Sequence, residues 1–279
     1  MREINIEGCQ VIGTGAFGKV YRIDADTVVK VYDNPSNLPL IETEQERSRR
    51  AFIKGIPTAI PFGIAKVGDT YGSIFELIDA RNCSDFLISH PEKFDSIVSE
   101  YADFIMRFNA VQSEPGEFPD AREVYVNYLE DIRDKLPEKI YTSLLDLVRS
   151  IPESRGLVHG DIQVKNIMLS NKEMFLIDMN TISAGSNLFE FAGLYRTYIA
   201  FNDFDPGNSD RFLGISENIA RKIYYRTSEL CGVEANSRDI QLLGLLSFLH
   251  VVIIEISLPD SFMVRLAVDK LRQLLISAI

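Results

Sequence analysis

Val158-His159-Gly160-Asp161-Ile162-Gln163-Val164-Lys165-Asn166-Ile167-Met168-Leu169, followed after a short turn by Phe175-Leu176-Ile177-Asp178, is the stretch whose reading decides the fold. It sets an Asp, an Asn five positions on and a second Asp in one short span. The apolar triplets Ile167 to Leu169 and Phe175 to Ile177 read as two short buried strands, joined by the polar turn Ser170-Asn171-Lys172-Glu173. Such a hairpin brings Asn166 and Asp178 to one end, with Asp161 on the loop leading in. Oxygen donors gathered at a loop mouth suit a hard cation such as Mg²⁺, which takes one or two carboxylates and leaves the rest to water and phosphate. The chemistry that fits is metal-assisted phosphoryl transfer.

Working outward toward the N-terminus, Ile4 to Ile12 reads as a strand that enters Gly13-Thr14-Gly15-Ala16-Phe17-Gly18. Lys19 to Ile23 and Thr27 to Tyr32 read as the next two strands. A dinucleotide fingerprint needs a helix after its last glycine, and here β-branched and aromatic residues follow instead. The pattern is therefore a glycine flap between strands, in which backbone N–H groups of Gly13, Gly15 and Gly18 can approach phosphate oxygens without a Cβ in the way. Lys30 faces the opposite side of its strand from Val29 and Val31. A cation there can hold the α- and β-phosphates and needs an anionic partner to fix it. A helix is expected over Leu40 to Lys54, and Glu44 shares the face of the apolar Ala51, with Glu46 as the runner-up partner for Lys30. Arg47, Arg49 and Arg50 read as a solvated face. Strands over Ile60 to Lys66 and Ser73 to Ile78 complete a five-stranded antiparallel lobe with one helix. Glu76 and Ile78 lie on the exit from that lobe, where exposed backbone could bond an adenine edge.

Beyond Asp79 the pattern turns helical. Phe86 to His90, Phe94 to Ala110, Arg122 to Leu136 and Glu138 to Ile151 are expected helices, and further helices start near Asn187, Ser216, Arg238 and Ser261. Phe201 to Asp210 reads as an acidic loop. Tyr125 and Tyr128 read as core rather than as the lining of a substrate site. The expected organisation is a nucleotide-binding lobe over 1–79 and a helical lobe over 80–279 that carries the catalytic loop and the substrate site.

The bulk numbers remove several classes. The chain has 279 residues, 46% of them hydrophobic, which is ample for a folded core. Its net charge of −11 opposes binding to a phosphate backbone or an anionic membrane surface and slightly favours a cationic acceptor. Three widely spaced cysteines (Cys9, Cys83, Cys231) show no metal spacing and read as reduced thiols. With no signal-peptide pattern at Met1 to Asn5, a cytoplasmic protein is expected. The apolar run Leu242 to Ile254 contains Ser247 and His250 and reads as a buried helix rather than a membrane span.

Five elements thus occur in order: glycine flap, strand lysine, helix glutamate, an Asp…Asn loop and a second Asp. Together they resemble the aminoglycoside phosphotransferase family, a branch of the protein-kinase-like superfamily that also holds choline and homoserine kinases. The signature is carried by His159-Gly160-Asp161 with Asn166, by Ile177-Asp178, and by Gly193-Leu194 after a short segment. The resemblance implies a bilobal α+β kinase-like fold and an ATP-dependent phosphotransferase, with GTP as a possible substitute. The acceptor it implies is a hydroxyl of an aminoglycoside, choline or another alcohol. By position, Asp161 would take the proton of that hydroxyl, Asn166 and Asp178 would hold Mg²⁺, and Lys30 fixed by Glu44 would grip the phosphates.

The sequence departs from the family at Met179-Asn180 in place of Phe-Gly, at Glu190 in place of a supporting Asp, and at Val164 in place of Pro. A catalytically silent nucleotide-binding regulator is the competing reading, opposed by the cost of keeping unused buried carboxylates together. A protein kinase is disfavoured by the short segment from Asp178 to Glu190, which leaves no room for a long peptide-docking loop.

Overall fold

Six strands build the N-terminal sheet: β1 (Arg2–Glu3), β2 (Gln10–Gly15), β3 (Gly18–Arg22), β4 (Thr27–Tyr32), β5 (Pro61–Val67) and β6 (Thr70–Glu76), in the spatial order β1-β5-β6-β4-β3-β2. This computed structural model describes residues 1–15, 18–170 and 173–276. Ala16 and Phe17 of the flap, and Asn171 and Lys172 of the hairpin turn, therefore lie outside the described residues. Period-two alternation explains the sheet. Val29 and Val31 enter a core with Ala65, Val67 and Ile74, while Lys30 between them faces the other way.

Two expectations for this sheet are corrected. It has six strands rather than five, and it is not purely antiparallel, because β1 runs parallel to β5. Nor is Ile4 to Ile12 one strand. The chain turns at Glu7-Gly8, and Ile4 and Ile6 pack as partly buried side chains against the core instead of alternating along a ladder.

α1 (Leu38–Ile53) lies on this unit and buries Ile41, Glu44, Gln45, Ser48 and Ala51. The spacing 41, 44, 48, 51 is one helical face. Gln45 can be buried although polar because it has partners: it donates to Ile74 O and accepts from Gly63 N.

The chain forms two units that are not contiguous in sequence: Met1–Asn82 with Asn166–Thr181, and Cys83–Lys165 with Ile182–Ile279. The segment from Asn166 to Thr181 joins the first unit through its backbone. The strands Ile167–Ser170 and Glu173–Leu176 form an antiparallel hairpin whose first strand also pairs with Arg81–Asn82. Leu176 N donates to Pro57 O at 2.8 Å. The division expected at residue 79 thus differs by this hairpin, which sequence order alone places with the helices.

The second unit is helical: α2 (Cys83–Ser89), α3 (Phe94–Ala110), α4 (Ala121–Asp131), α5 (Glu138–Ser150), α6 (Asn187–Tyr195), α7 (Phe201–Phe204), α8 (Asn208–Phe212), α9 (Glu217–Leu230), α10 (Arg238–His250) and α11 (Phe262–Ile276). Side-chain caps mark several starts: Asp120, Ser186, Ser216 and Ser237 each accept a backbone N–H of the first turn. α10 is buried continuously from Leu242 to His250 and packs against α4, α6 and α11, as a helix apolar all round must. Among the described residues no helix is long and apolar enough to cross a membrane.

The acidic loop expected over Phe201 to Asp210 is instead largely α7 and α8. Two of its carboxylates are committed: Asp203 accepts from Arg221 at 2.6 Å and Asp205 from Arg211 at 2.5 Å. They therefore give little support to a cationic acceptor. Two π-helical segments continue α6 and α10, over Arg196–Ala200 and Val251–Glu255. Such segments are frequent at functional sites because they re-aim side chains.

Candidate functional site

In the first unit the charged groups converge on Lys30. Its Nζ lies 2.6 Å from Glu44 Oε1 and 2.9 Å from Asp178 Oδ1. Glu44, not Glu46, is the partner, because Glu44 sits on the buried face of α1 while Glu46 is exposed and pairs with Arg49 and Arg50. Glu44 holds its place through two further donors. Tyr32 Oη donates to Glu44 Oε2 at 2.5 Å, and Ser73 Oγ donates to the same oxygen at 3.0 Å. Strand geometry explains both. Tyr32 stands two residues from Lys30, hence on the same face of β4, and Ser73 is the cross-strand partner of Lys30 on β6.

Burial pushes the Lys30 ammonium toward deprotonation, but Asp178 and Glu44 outweigh it, and its pKa is raised. The lysine therefore stays cationic. Burial raises the pKa of Glu44, against the attraction of Lys30. Burial and the Glu44 charge likewise push the Tyr32 phenol upward, so it remains a donor.

Asn166 and Asp178 sit at the same end of the hairpin, where Ile177 N donates to Asn166 O at 2.9 Å. The Asp178 side chain is 41% exposed and its backbone has φ of 66°. A half-exposed carboxylate and an amide carbonyl are hard oxygen donors of the kind Mg²⁺ takes, with phosphate oxygens completing the shell. The donor chemistry therefore fits the metal that the sequence pattern implies.

Of the flap glycines, Gly18 has a clear physical requirement. At φ of 155°, a Cβ there would lie 1.8 Å from Val31 O, so β3 can approach β4 only without a side chain at this point. Gly13 and Gly15 lie on β2. On the exit from the sheet, Glu76 N donates to Ile60 O and Leu77 N to Asp26 O. The Glu76 carboxylate accepts from Ile60 N at 3.3 Å. The amides of residues 76 and 77 are thus already used inside the sheet, so an adenine edge would have to meet other backbone groups of this exit. Ile78 follows the last residue of β6 by two positions.

In the second unit the loop from His159 to Val164 is fixed almost entirely through its backbone. Glu190 is fully buried and accepts from His159 N at 2.7 Å and Gly160 N at 2.9 Å. Asn109 adds a third donor at 3.3 Å. The Glu in place of Asp thus makes the supporting contact. Burial pushes its carboxyl pKa up to about 7, the N–H donors opposing. Tyr101 donates to Ile162 O, and Tyr198 accepts from Val164 N. A proline at 164 would have no N–H to give. α6 approaches the loop so closely that a Cβ on Gly193 would lie 2.6 Å from Gly160 O.

Asp161 Oδ1 accepts from Arg196 Nη2 at 2.9 Å. The same nitrogen reaches Gly160 O, and Nη1 donates to Ser247 Oγ on α10. Burial pushes the guanidinium pKa down, but Asp161 overrides it and the net shift is upward.

Sequence reasoning missed four contributors: Tyr32, Ser73, Arg196 and Asn180. Tyr32 was accessible from the period of the strand. Arg196 follows the strongly apolar run from Phe189 to Tyr195, in which Glu190 is the sole acidic residue, and such a cation must have a buried partner. Arg47, read as solvated, in fact donates to the backbone oxygen of Asn180. Tyr125 is core as expected, packed on Phe189, while Tyr128 stacks on His250.

Residues 8–220 match the model of the phosphotransferase enzyme family. Nothing among curated protein sequences matches the chain. Several solved structures share the fold at low identity. A ternary complex of a thermostable mutant of aminoglycoside phosphotransferase APH(4)-Ia with ADP and hygromycin B aligns at TM-score 0.64 and 15% identity, covering 96% of each chain. ADP-bound aminoglycoside phosphotransferase APH(2'')-Ib aligns at 0.61 and 17%, covering 95% of this chain and 92% of the other. The streptomycin–ATP ternary complex of APH(2'')-IIa aligns at 0.60 and 14%, covering 95% and 90%.

Proposed function

The chain belongs to the phosphotransferase enzyme family, and on that footing we propose that it transfers the γ-phosphoryl group of ATP to a hydroxyl of a small molecule. The observation that carries this reading is Lys30 held between Glu44 and Asp178 in one unit. A part-buried lysine fixed by a helix glutamate and touching a half-exposed carboxylate is arranged to receive polyphosphate.

The proposed roles rest on the family resemblance, with the charges and contacts of the site in support. Lys30 neutralises the α- and β-phosphates, and Glu44, Tyr32 and Ser73 hold it in place. The backbone of Gly13, Gly15 and Gly18 covers the triphosphate, and Glu76 and Ile78 flank the adenine. Asn166 and Asp178 hold Mg²⁺, which when bound offsets the negative charge of the β- and γ-phosphates. Asp161 orients the acceptor hydroxyl and takes its proton as the new O–P bond forms and the bond to the β-phosphate oxygen breaks. Arg196 occupies one oxygen of Asp161 and so fixes the orientation of the other.

The acceptor proposed is a hydroxylated amine, such as an amino sugar or a choline-like alcohol. The net charge of −11 favours a cation, and the relatives of like fold were solved with hygromycin B and streptomycin. The protein acts without a nucleic-acid or membrane partner in this reading, as expected of a cytoplasmic enzyme. A GDP–kanamycin complex among the fold relatives keeps GTP in the comparison.

The test is a thermal shift with ATP and with GTP, each with and without Mg²⁺, on wild type and Asp178→Ala. Ligand at a hundred times its Kd adds about 2.7 kcal/mol of stability. The expected result is a Mg²⁺-dependent shift that the mutant loses, followed by ADP release with one member of a panel of aminoglycosides, choline and amino alcohols. Absence of a shift with either nucleotide would replace this reading with a non-catalytic one.

A further inference from the structure

Asn180 stands two residues after Asp178, and its amide faces two carboxylates. Its Nδ2 lies 2.9 Å from Asp178 Oδ1 and 3.5 Å from Glu44 Oε1. These are the same two oxygens that Lys30 Nζ reaches at 2.9 and 2.6 Å. Two donors and two acceptors therefore alternate around a closed ring: Lys30, Glu44, Asn180, Asp178. A second contact ties Asn180 to the same helix, because Arg47 of α1 donates to its backbone oxygen. Glu44 and Arg47 are spaced i, i+3 and so lie on one face of α1. That one face thus grips both the side chain and the main chain of Asn180.

The ring has a reason to exist. Asp178 holds a left-handed backbone (φ of 66°), which residues with a side chain adopt rarely, Asn and Asp more often than the rest. Such a conformation persists only where the surroundings over-determine it. Lys30 alone fixes one oxygen of Asp178 by charge. Asn180 adds a directional hydrogen bond to that oxygen, so the carboxylate has a defined plane and aims its other edge consistently.

We propose that Asn180 is a positioning residue, which holds the Asp178 carboxylate in its metal-binding orientation by tying it to Glu44 and Arg47 of α1. The proposal rests on the phosphotransferase reading of Asp178. Asparagine is the residue the ring requires: an aspartate of the same shape would present an acceptor to two acceptors, and glycine would leave both carboxylates short of a donor. The lysine–glutamate pair and the metal carboxylate are then set together before any nucleotide arrives, and binding energy is not spent on assembling them.

The test uses wild type, Asn180→Ala and Asn180→Ser, the serine keeping a short donor. Each is titrated with Mg²⁺ at saturating ATP, following ADP release, and Mg²⁺-dependent ATP binding is measured by calorimetry. Loss of an outer contact to a metal ligand costs 10–100-fold, so the half-saturating Mg²⁺ of Asn180→Ala should rise about tenfold or more and kcat should fall. The KM for acceptor should stay within about threefold, and Asn180→Ser should recover part of both losses, since uniform loosening of the fold would not restore metal dependence selectively. A merely structural Asn180 would lower the melting temperature and leave the Mg²⁺ dependence of the folded fraction unchanged, which overturns the proposal. Wild-type Mg²⁺ dependence in both variants overturns it too. If wild type itself binds no Mg²⁺–nucleotide, the phosphotransferase reading fails and takes this proposal with it; if wild type binds and both variants match it, only the proposal fails.

Discussion

Nη2 of Arg196 lies 2.9 Å from Oδ1 of Asp161 and 3.0 Å from the carbonyl oxygen of Gly160. One guanidinium therefore fixes both the side chain of the proposed base and the peptide before it. Replacing Arg196 by lysine keeps the charge and loses the fork that binds Asp161, Gly160 and Ser247 together. The expected outcome is a kcat about tenfold lower or more, with the nucleotide-induced thermal shift preserved. Steady-state kinetics beside calorimetry separate the two effects.

Asp161→Asn should lower kcat by about 10²-fold or more while leaving Mg²⁺–ATP binding intact. Asp178→Ala should lower kcat by a similar factor and abolish the Mg²⁺-dependent component of ATP binding. An Asp161→Asn protein with near-normal turnover would remove the base assignment.

Tyr32→Phe deletes one of two hydroxyl donors to a buried carboxylate oxygen. Leaving that oxygen to Ser73 alone should cost about 1–3 kcal/mol of stability, read from urea midpoints. The KM for ATP should rise, because Lys30 loses part of the support behind its partner. Turnover at saturating ATP should fall less than in Asp161→Asn.

Glu190 provides a pH signature. Its folded pKa of about 7 lies above the ordinary glutamate value of 4.5, burial being the main cause. The folded protein therefore binds more protons than the unfolded chain between those two values. A raised carboxyl pKa means that stability from this group is fully present below about 4.5 and declines as pH rises toward 7. Glu190→Gln has no such titration and also turns an NH₂ group toward the donors His159 N and Gly160 N. It should be less stable than wild type by about 1–3 kcal/mol. The gap should narrow between pH 4.5 and 7, which denaturant melts at several pH values would show.

The fold was legible because its determinants are local. The glycine flap before β-branched residues, the helix starts near Asn187, Ser216 and Arg238, and the apolar period of α3 each specify an element within about ten residues. Helix phase favoured Glu44 over Glu46, and the contact with Lys30 decides between them. What escaped was set by distant partners. The edge strand Arg2–Glu3 exists through its pairing with β5, and nothing in those two residues announces it. Arg47 looked like its neighbours Arg49 and Arg50, and only the position of Asn180 separates it from them. The carboxylates of Asp203 and Asp205 looked available until Arg221 and Arg211, distant in sequence or on another turn, were found bound to them.

The hairpin from Asn166 to Thr181 completes a unit that began at Met1. Lys30 and Asp178 are 148 positions apart. On the ribosome, the first sheet therefore emerges long before the strand pair and carboxylate that finish it. Closing so long a loop costs only slightly more entropy than closing a short one, since the penalty grows with the logarithm of length, but the waiting time is set by translation. Lys30 and Glu44 can pair early in synthesis. The order of emergence is thus written into the chain: the proposed phosphate grip first, the proposed metal carboxylate last, and a truncated nascent product carries the former without the latter.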